Sequence, residues 1–241
     1  MTRFFGFRLT GPLASWGDVT VGDVRSSWAA PSASALTGLI AAARGIQRED
    51  EVGQAALFEH RFAVRLDVPG VPERDYHTVQ SARAEVRGAP FRTRRDELTR
   101  GKVATKLTER SYFAGQVATV LAWGGDLDAA AEALRRPAFF LCLGRRACPP
   151  SRPPGPVIVE ADSIAAGFAA YDDARPKVYG PHLPVGPCEV AWDARPGGPD
   201  SGFGGEPVVT DRRDLPVNRG SDWTFAPRPV ASARWPVGTA A

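Results

Sequence analysis

A tyrosine and a histidine stand side by side in the stretch RDYHTV, residues 74–79, and they are the pair best suited to chemistry. A histidine can exchange a proton with an RNA 2′-hydroxyl near neutral pH, so Tyr76 and His77 could cleave RNA without a metal. Neighbouring side chains of a regular strand point to opposite faces, however, so the two cannot enter one site from such a strand. Alternatively, His77 contacts RNA or forms a hydrogen bond in a polar core.

Signatures of other enzyme classes are missing from the sequence. It contains no GxxxxGK[ST], no GxGxxG after a strand, no GxSxG and no HExxH, the motifs of nucleotide binding, serine hydrolysis and zinc proteolysis. Cys142, Cys148 and Cys188 form no CxxC pair, and the cysteines and histidines lack the spacing of a zinc site. We therefore expect no metal, no cofactor and no catalytic residue, with Tyr76 and His77 as the alternative.

Basic residues are concentrated in one window, residues 87–110. The window holds eight basic and three acidic residues, a local charge of +5 against +3 for the whole chain. Of the 30 basic residues only three are lysine, and arginine's planar fork suits phosphates and base stacking. Trp28, Tyr76, Phe91 and Tyr112 lie near arginines, as recognition of a single strand requires. The window is typical of a polyanion-binding surface.

Hydrophobic periodicity predicts the elements that must position these residues. Apolar alternation predicts strands in RFFGFRL, FAVRLDV and SYFAGQVATVLAWGG, and AFFLCLG (138–144) is expected to form a short buried strand. Helical spacing predicts helices in SASALTGLIAAAR, between Pro31 and Gly45, in EVGQAALFEH, and in DLDAAAEALRR, capped by Asp126. The order is strand–helix–strand, a polar arm, then strand–helix–strand.

This order predicts an α+β fold with an RRM-like or ferredoxin-like βαβ–βαβ core in residues 1–147. A β-hairpin thumb or ordered arm is expected at about residues 80–110. Residues 148–241 are rich in proline and glycine and predict a small, irregular β region packed on the core, with strands in PVIVEA, CEVAWDA and PVVTD and a mobile loop in RPGGPDSGFGGEP. No apolar run is long enough for a membrane span, and the N-terminus lacks a secretory pattern, so we expect a cytoplasmic protein without membrane contact.

Four motifs in order resemble one known family. GPLASWGD (11–18), then Arg25, then PSASALTGLIAAARGIQRED are similar to the N-terminal signature of the CasD family. RDYHTV, TERSYFAGQVATVL and LGRRACPP resemble that family's further motifs, and the resemblance extends to about Arg152. The family comprises the type I-E "Cas-five" members of the RAMP superfamily, subunits of the Cascade CRISPR surveillance complex. The resemblance implies an RRM-like core with a hairpin thumb.

The resemblance also implies a function. Such a protein is a non-catalytic binder that caps the 5′ end of the CRISPR RNA (crRNA) by holding its repeat-derived 5′ handle. It adjoins the backbone subunit and the large PAM-reading subunit, and it meets target DNA only indirectly. In type I-C relatives the equivalent protein is a metal-independent endoribonuclease, which is the alternative activity here. A protein scaffold whose basic arm meets acidic partners is a third interpretation.

RNA contacts are implied at the positions that match the family's motifs and at the basic residues of the arm. These are Arg25, Ser34, His77, Arg83, Arg87, Arg92, Arg94, Arg95, Lys102, Lys106, Arg110, Tyr112, Arg145 and Arg146. Gly11, Trp16 and Gly17 are expected to shape the turn, the glycines by letting backbone approach phosphate and Trp16 by supporting the turn from beneath. Backbone amides at this turn and at the start of the following helix are expected to hold handle phosphates.

Overall fold

The computed structural model describes residues 1–20, 22–82, 91–99, 103–176, 188–218 and 224–235. Within these ranges the chain forms eleven strands and five helices. The strands are β1 (Thr2–Thr10), β2 (Leu13–Ala14), β3 (Val24–Arg25), β4 (Arg61–Val68), β5 (Val71–Ala82), β6 (Val103–Ala114), β7 (Val117–Trp123), β8 (Val157–Ala161), β9 (Cys188–Asp193), β10 (Val208–Asn218) and β11 (Thr224–Trp235). The helices are α1 (Ala33–Arg44), α2 (Glu51–Leu57), α3 (Arg94–Thr99), α4 (Leu127–Arg135) and α5 (Ile164–Ala174). The fold is therefore α+β, and none of these described helices is long and apolar enough to span a bilayer.

The larger sheet carries the core. Its seven described strands run in the order β10-β11-β9-β4-β7-β1-β8, and every neighbouring pair is antiparallel. Side chains of β1 alternate between the two faces: Phe5 and Phe7 join the cluster that includes α1 and α4 residues, whereas Phe4 joins the cluster that includes α5 residues. Helices on both faces thus bury β1 completely from Phe4 to Leu9.

Local signals placed two of the helices correctly. α1 begins after Ser32, whose Oγ accepts a hydrogen bond from the Ala35 N–H at 3.2 Å, and it ends at Gly45, which has a φ of 72°. α4 begins after Asp126, which accepts from the Ala129 N–H at 3.0 Å. Both caps satisfy backbone groups that a helix end leaves unpaired, and they confirm the predicted helix limits.

The strand predicted at residues 138–144 is wrong. This segment is irregular, and the N–H groups of Ala138 and Phe139 donate to carbonyls in the last turn of α1, Ala43 O at 2.9 Å and Ala42 O at 3.1 Å. The strand that pairs with β1 at this position is β8. The sheet therefore crosses the boundary predicted at residue 147, since β8 follows it in the chain. The proline-rich segment before β8 also lies against β1, where the Arg8 N–H donates to Pro154 O at 2.8 Å.

A second sheet projects from the end of the first. β5 and β6 form an antiparallel hairpin that pairs Val71 with Ala114 at its base and Ala82 with Val103 at its far end. β2 and β3 pair with the other edge of β6, and β3 does so in parallel. The arm predicted at about 80–110 therefore begins at Val71, as a regular hairpin whose strand β5 is polar and exposed along most of its length.

Two further predictions concern single segments. SYFAGQVATVLAWGG is not one strand, since the chain turns at Gly115, which has a φ of 67°, between β6 and β7. The segment RPGGPDSGFGGEP, predicted to be mobile, bonds to the start of α5, where Asp200 O and Ser201 O accept from the N–H groups of Ile164 and Ala165 at 2.8 and 3.0 Å.

Candidate nucleic-acid interface

One face of the hairpin gathers four of the predicted RNA contacts. Residues directly opposite in an antiparallel pair share a face, and so do alternate residues of one strand. The register of β5 with β6 therefore puts His77, Lys106 and Arg110 on the same face. β3 adds Arg25, which lies beside Arg110 in the parallel pair. We call Arg25, His77, Lys106 and Arg110 the basic face.

Two carboxylates adjoin this face. Glu73 and Asp75 are at alternate positions of β5 with His77 and so lie on the same side of the hairpin, and Asp75 Oδ2 lies 3.8 Å from His77 Nδ1. Two acids against three arginine or lysine side chains leave the basic face with a net positive charge, which suits a polyanion.

Tyr76 lies on the other face of the hairpin. It is opposite Glu109, whose Oε2 is 3.4 Å from Arg74 Nη1, and its side chain is 62% exposed. The structure therefore separates Tyr76 from His77, as strand alternation predicts. The two side chains of the alternative cleavage site do not converge.

Arg145 is fixed against the base of the basic face. Its Cζ lies 4.8 Å from the centroid of the Tyr112 ring, and its Nη2 donates to Arg25 O at 2.9 Å. Tyr112 is only 9% exposed and belongs to the core. Because its ring is buried under Arg145, Tyr112 supports a guanidinium here and does not present its face to a base. A cation over an aromatic ring contributes about 0.5–2 kcal/mol, depending on exposure.

The turn GPLASWGD packs closely against the loop that carries Arg145. A Cβ at Gly11 would lie 2.7 Å from Leu143 Cδ1 and 2.9 Å from Pro149 O, so only glycine fits there. Gly17 has a φ of 66°, a conformation that favours glycine. Trp16 is 4% exposed, and its Nε1 donates to Gln116 Oε1 at 2.5 Å. Trp16 therefore packs inside the protein.

The start of α1 is occupied by the protein's own acid. The Ala33 N–H donates to Asp214 Oδ2 at 2.8 Å, and Arg228 donates to both oxygens of the same carboxylate at 2.7 and 3.0 Å. Ser34, in the first turn, has its Oγ 3.1 Å from Ser32 Oγ. Asp214 therefore takes the anion position at the Ala33 amide, and the expectation that amides at this helix start hold RNA phosphates stays a prediction.

The remaining basic residues of the arm lie around α3. Arg94 pairs with Glu97 at 2.5 Å and also donates to Gln80 O, which fixes α3 against β5. Arg92 and Arg95 are exposed, as is Arg146 in the loop beside Arg145. Arg83, Arg87 and Lys102 lie outside the described residues.

Sequence reasoning missed the partner of Trp28. The Arg212 guanidinium carbon lies 4.4 Å from the Trp28 ring centroid, and Arg212 Nη2 donates to Ala30 O at 2.9 Å. Burial lowers the pKa of the Arg212 guanidinium. The contact ties β10 to the segment before α1, and a separation of 184 positions leaves no local signal for it.

The described residues contain no group of three or more His, Cys, Asp or Glu that could hold a metal ion. Burial raises the pKa of the Cys142 and Cys148 thiols and raises the pKa of Cys188 to about 11. The three cysteines are therefore thiols at neutral pH and poor nucleophiles.

Several known proteins resemble this chain in sequence and in structure. The sequence profile of the family described as CRISPR-associated protein (Cas_Cas5) matches residues 5–229. The CRISPR system Cascade subunit CasD of Escherichia coli (strain K12) is 33% identical over 169 residues, 64% of this chain and 70% of that protein. A solved chain from a CRISPR RNA-guided surveillance complex is 28% identical with a TM-score of 0.68, covering 96% of this chain and 89% of its own. A solved Cas protein is 26% identical with a TM-score of 0.62, covering 97% and 95%.

Proposed function

Because this chain belongs to the CRISPR-associated protein (Cas_Cas5) family, we propose that it is a non-catalytic crRNA-binding subunit of a type I-E Cascade surveillance complex. It holds the repeat-derived 5′ handle and so caps the 5′ end of the crRNA. The observation that carries this proposal is the convergence of Arg25, Arg110 and Arg145. Arg25 neighbours Arg110 across β3 and β6, and Arg145 bonds to the backbone of Arg25.

These three arginines come from distant parts of the sequence and meet at one end of the larger sheet. Guanidinium groups bind phosphate through paired N–H donors, and single strands are gripped mainly through such contacts and base stacking. In an RNA-guided complex the guide reads sequence by base pairing, so the subunits need only read shape and backbone. The basic face meets that requirement without a catalytic group.

The fold supports the same assignment at a finer level. We propose that β1, β4, β7 and β8, with α1 and α4 between them in chain order, form the RRM-like core. The β5–β6 hairpin is its thumb. Residues 148–241 then supply the fourth core strand and the β9–β11 extension of the sheet. We further propose that the thumb contacts the neighbouring backbone subunit and the large PAM-reading subunit. The complex acts in the cytoplasm, and this subunit meets target DNA only indirectly.

Salt-dependent RNA binding tests the function on the purified full-length chain. A fluorescent single-stranded RNA with the repeat-derived handle sequence is titrated at several salt concentrations. Each phosphate contact contributes about 0.7 to the slope of log affinity against log salt for a single strand. Arg25→Ala and Arg110→Ala should each lower the affinity and reduce the slope by about that amount.

Arg3→Ala is the matched control. Arg3 is exposed and pairs with Asp128 at 3.0 Å, near the start of β1. The hairpin leaves the sheet at the other end of β1, where Thr10 and Val68 both pair with Val117. The Arg3 variant should bind RNA like the wild type. Equal salt slopes for the Arg3, Arg25 and Arg110 variants would overturn the proposed interface.

A further inference from the structure

We infer that bound RNA does not end at the basic face but passes Arg145 into a groove beside α1, where Arg48 and Phe140 contact it. This inference rests on the proposed function and deepens it, since it adds a segment of the RNA path and two contact residues outside the set of RNA contacts predicted from the sequence. The ligand is a single-stranded nucleic-acid segment, held through its phosphates and one stacked base.

The groove shares a residue with the basic face. It has a volume of about 390 Å³, and its lining includes Ser34, Arg48, Phe140, Gly144, Arg145 and Phe225. Arg145 lines this groove and also bonds to Arg25 O. A strand that leaves the basic face at Arg25 therefore reaches the groove by way of Arg145.

Charge distinguishes this groove from its neighbour. Two arginines line it, and its described lining contains no aspartate or glutamate. The adjoining cleft on the other side of Gly17 is lined by Asp18 and Asp214 as well as Arg213. A polyanion is favoured in the first, whereas in the second Asp18 offsets Arg213 and the Asp214 carboxylate is already paired with Arg228.

Phe140 is an exposed aromatic side chain held in a fixed place. It is 71% exposed, and the two residues before it are bonded through their backbone N–H groups to the last turn of α1. At that exposure most of the ring surface is open to a ligand. An aromatic ring beside arginines is the arrangement that stacks a base and holds its phosphate.

Arg145 retains an unpaired guanidinium nitrogen. Its Nη1 has no hydrogen-bond partner among the described residues, although Nη2 bonds to Arg25 O. An unsatisfied donor of a charged group costs free energy. Nη1 is buried in this conformation, so a phosphate oxygen would bond to it only once the Arg145 side chain turned toward the groove that it lines.

The test compares neighbouring phenylalanines in the full-length protein. Phe140→Ala removes the groove ring. Phe139→Ala is the matched control, since Phe139 is also exposed, at 47%, but does not line the groove. A lost base–aromatic stack weakens binding by about fivefold or more. Phe140→Ala should show that loss with handle RNA, Arg48→Ala should lower both affinity and salt slope, and Phe139→Ala should bind like the wild type.

A crosslink supplies a readout that affinity alone does not. Handle RNA in which single uridines are replaced by 4-thiouridine is irradiated with the wild type, and crosslinked peptides are identified by mass spectrometry. We expect a crosslink at Phe140 that disappears in Phe140→Ala. All the substituted side chains are exposed or line an open groove, and thermal melting checks that the variants fold.

The outcomes distinguish failure of this inference from failure of the proposed function. If Arg25→Ala weakens RNA binding while Phe140→Ala and Arg48→Ala match Phe139→Ala, the groove assignment is overturned and the function stands. If Arg25→Ala has no effect either, both fall. If Phe140→Ala leaves RNA affinity unchanged but prevents assembly with other subunits, the ring contacts protein and the inference is again overturned.

Discussion

The guanidinium carbon of Arg145 lies 4.8 Å from the ring centroid of Tyr112. The two residues belong to different parts of the fold, Tyr112 to β6 and Arg145 to the loop after α4. Their contact brings a charge from that loop to the base of the basic face, where Arg145 also bonds to Arg25 O. A buried ring thus positions an arginine of the proposed RNA-binding surface.

Replacing Tyr112 tests this positioning. Tyr112→Leu should weaken handle-RNA binding by roughly threefold or more, because the ring that supports Arg145 is lost. Tyr112→Phe keeps the ring and should restore wild-type affinity. Fluorescence anisotropy measures the affinity, and urea unfolding checks that both variants are folded at the assay temperature. A folded Tyr112→Leu protein that binds like the wild type would show that the ring has only a packing role.

RNA cleavage tests the alternative function. Purified protein incubated with repeat RNA in EDTA should yield no site-specific product, because Tyr76 and His77 lie on opposite faces of β5. Denaturing gel electrophoresis reports the products. A specific cut that is lost in both His77→Ala and Tyr76→Phe would contradict this account and favour the endoribonuclease.

The Asp214–Arg228 pair should stabilise the junction of α1 with β10 and β11. Asp214→Ala removes the acceptor of the Ala33 N–H and leaves the buried Arg228 guanidinium with Asp193, whose Oδ2 lies 3.6 Å from Arg228 Nη1. Because Asp193 still compensates part of this charge, the loss in the free energy of unfolding should fall below about 3–5 kcal/mol, the cost of leaving a buried charge with no partner. Arg228→Met in the same chain should recover part of it. Urea unfolding of the two single variants and the double variant forms a double-mutant cycle, in which strictly additive effects would contradict the coupling.

His60 gives the stability a defined pH dependence. It is buried, burial lowers the pKa of its imidazole, and its Nε2 has no hydrogen-bond partner among the described residues. Below about pH 6.5 the unfolded chain binds a proton that the folded chain does not. The free energy of unfolding therefore falls as the pH decreases toward the folded pKa, by at most about 1.4 kcal/mol per pH unit.

His60→Gln removes this contribution. Urea unfolding of both proteins at about pH 7 and pH 5.5 should show a smaller decrease in the variant. An equal decrease in the two proteins would mean that His60 is protonated in the folded state as readily as in the unfolded chain.

Local signals predicted two helices whose ends are set by capping residues. Ser32, Gly45 and Asp126 carry enough information to place the ends of α1 and α4. α5 was not predicted, although Ser163 caps its start by accepting a hydrogen bond from the Ala166 N–H at 3.2 Å. Within α5, a Cβ at Gly167 would lie 3.0 Å from Leu121 Cδ1, so the glycine serves packing against the sheet. β11 was missed because Pro227 and Pro229 lie within it.

Strand pairing and contacts between residues far apart in the sequence could not be predicted. The apolar residues 138–144 look like a buried strand, but the place beside β1 goes to β8, and Phe140 is left exposed. The opposite faces of Tyr76 and His77 followed from strand alternation alone. The contact of Arg145 with Tyr112 and the occupation of the α1 start by Asp214 depend on tertiary structure, so the sequence identified several of these residues without their geometry.

Protection of the RNA 5′ end tests the central claim most directly. The chain is coexpressed with its complex partners and a CRISPR array, and RNA in the purified complex is digested with nuclease and its 5′ ends are sequenced. The wild type and Arg3→Ala should protect the whole repeat-derived handle. The variant carrying Arg25→Ala, Arg110→Ala and Arg145→Ala should lose the handle nucleotides or the crRNA altogether. A fully protected handle in that variant would contradict the proposal that these arginines hold it.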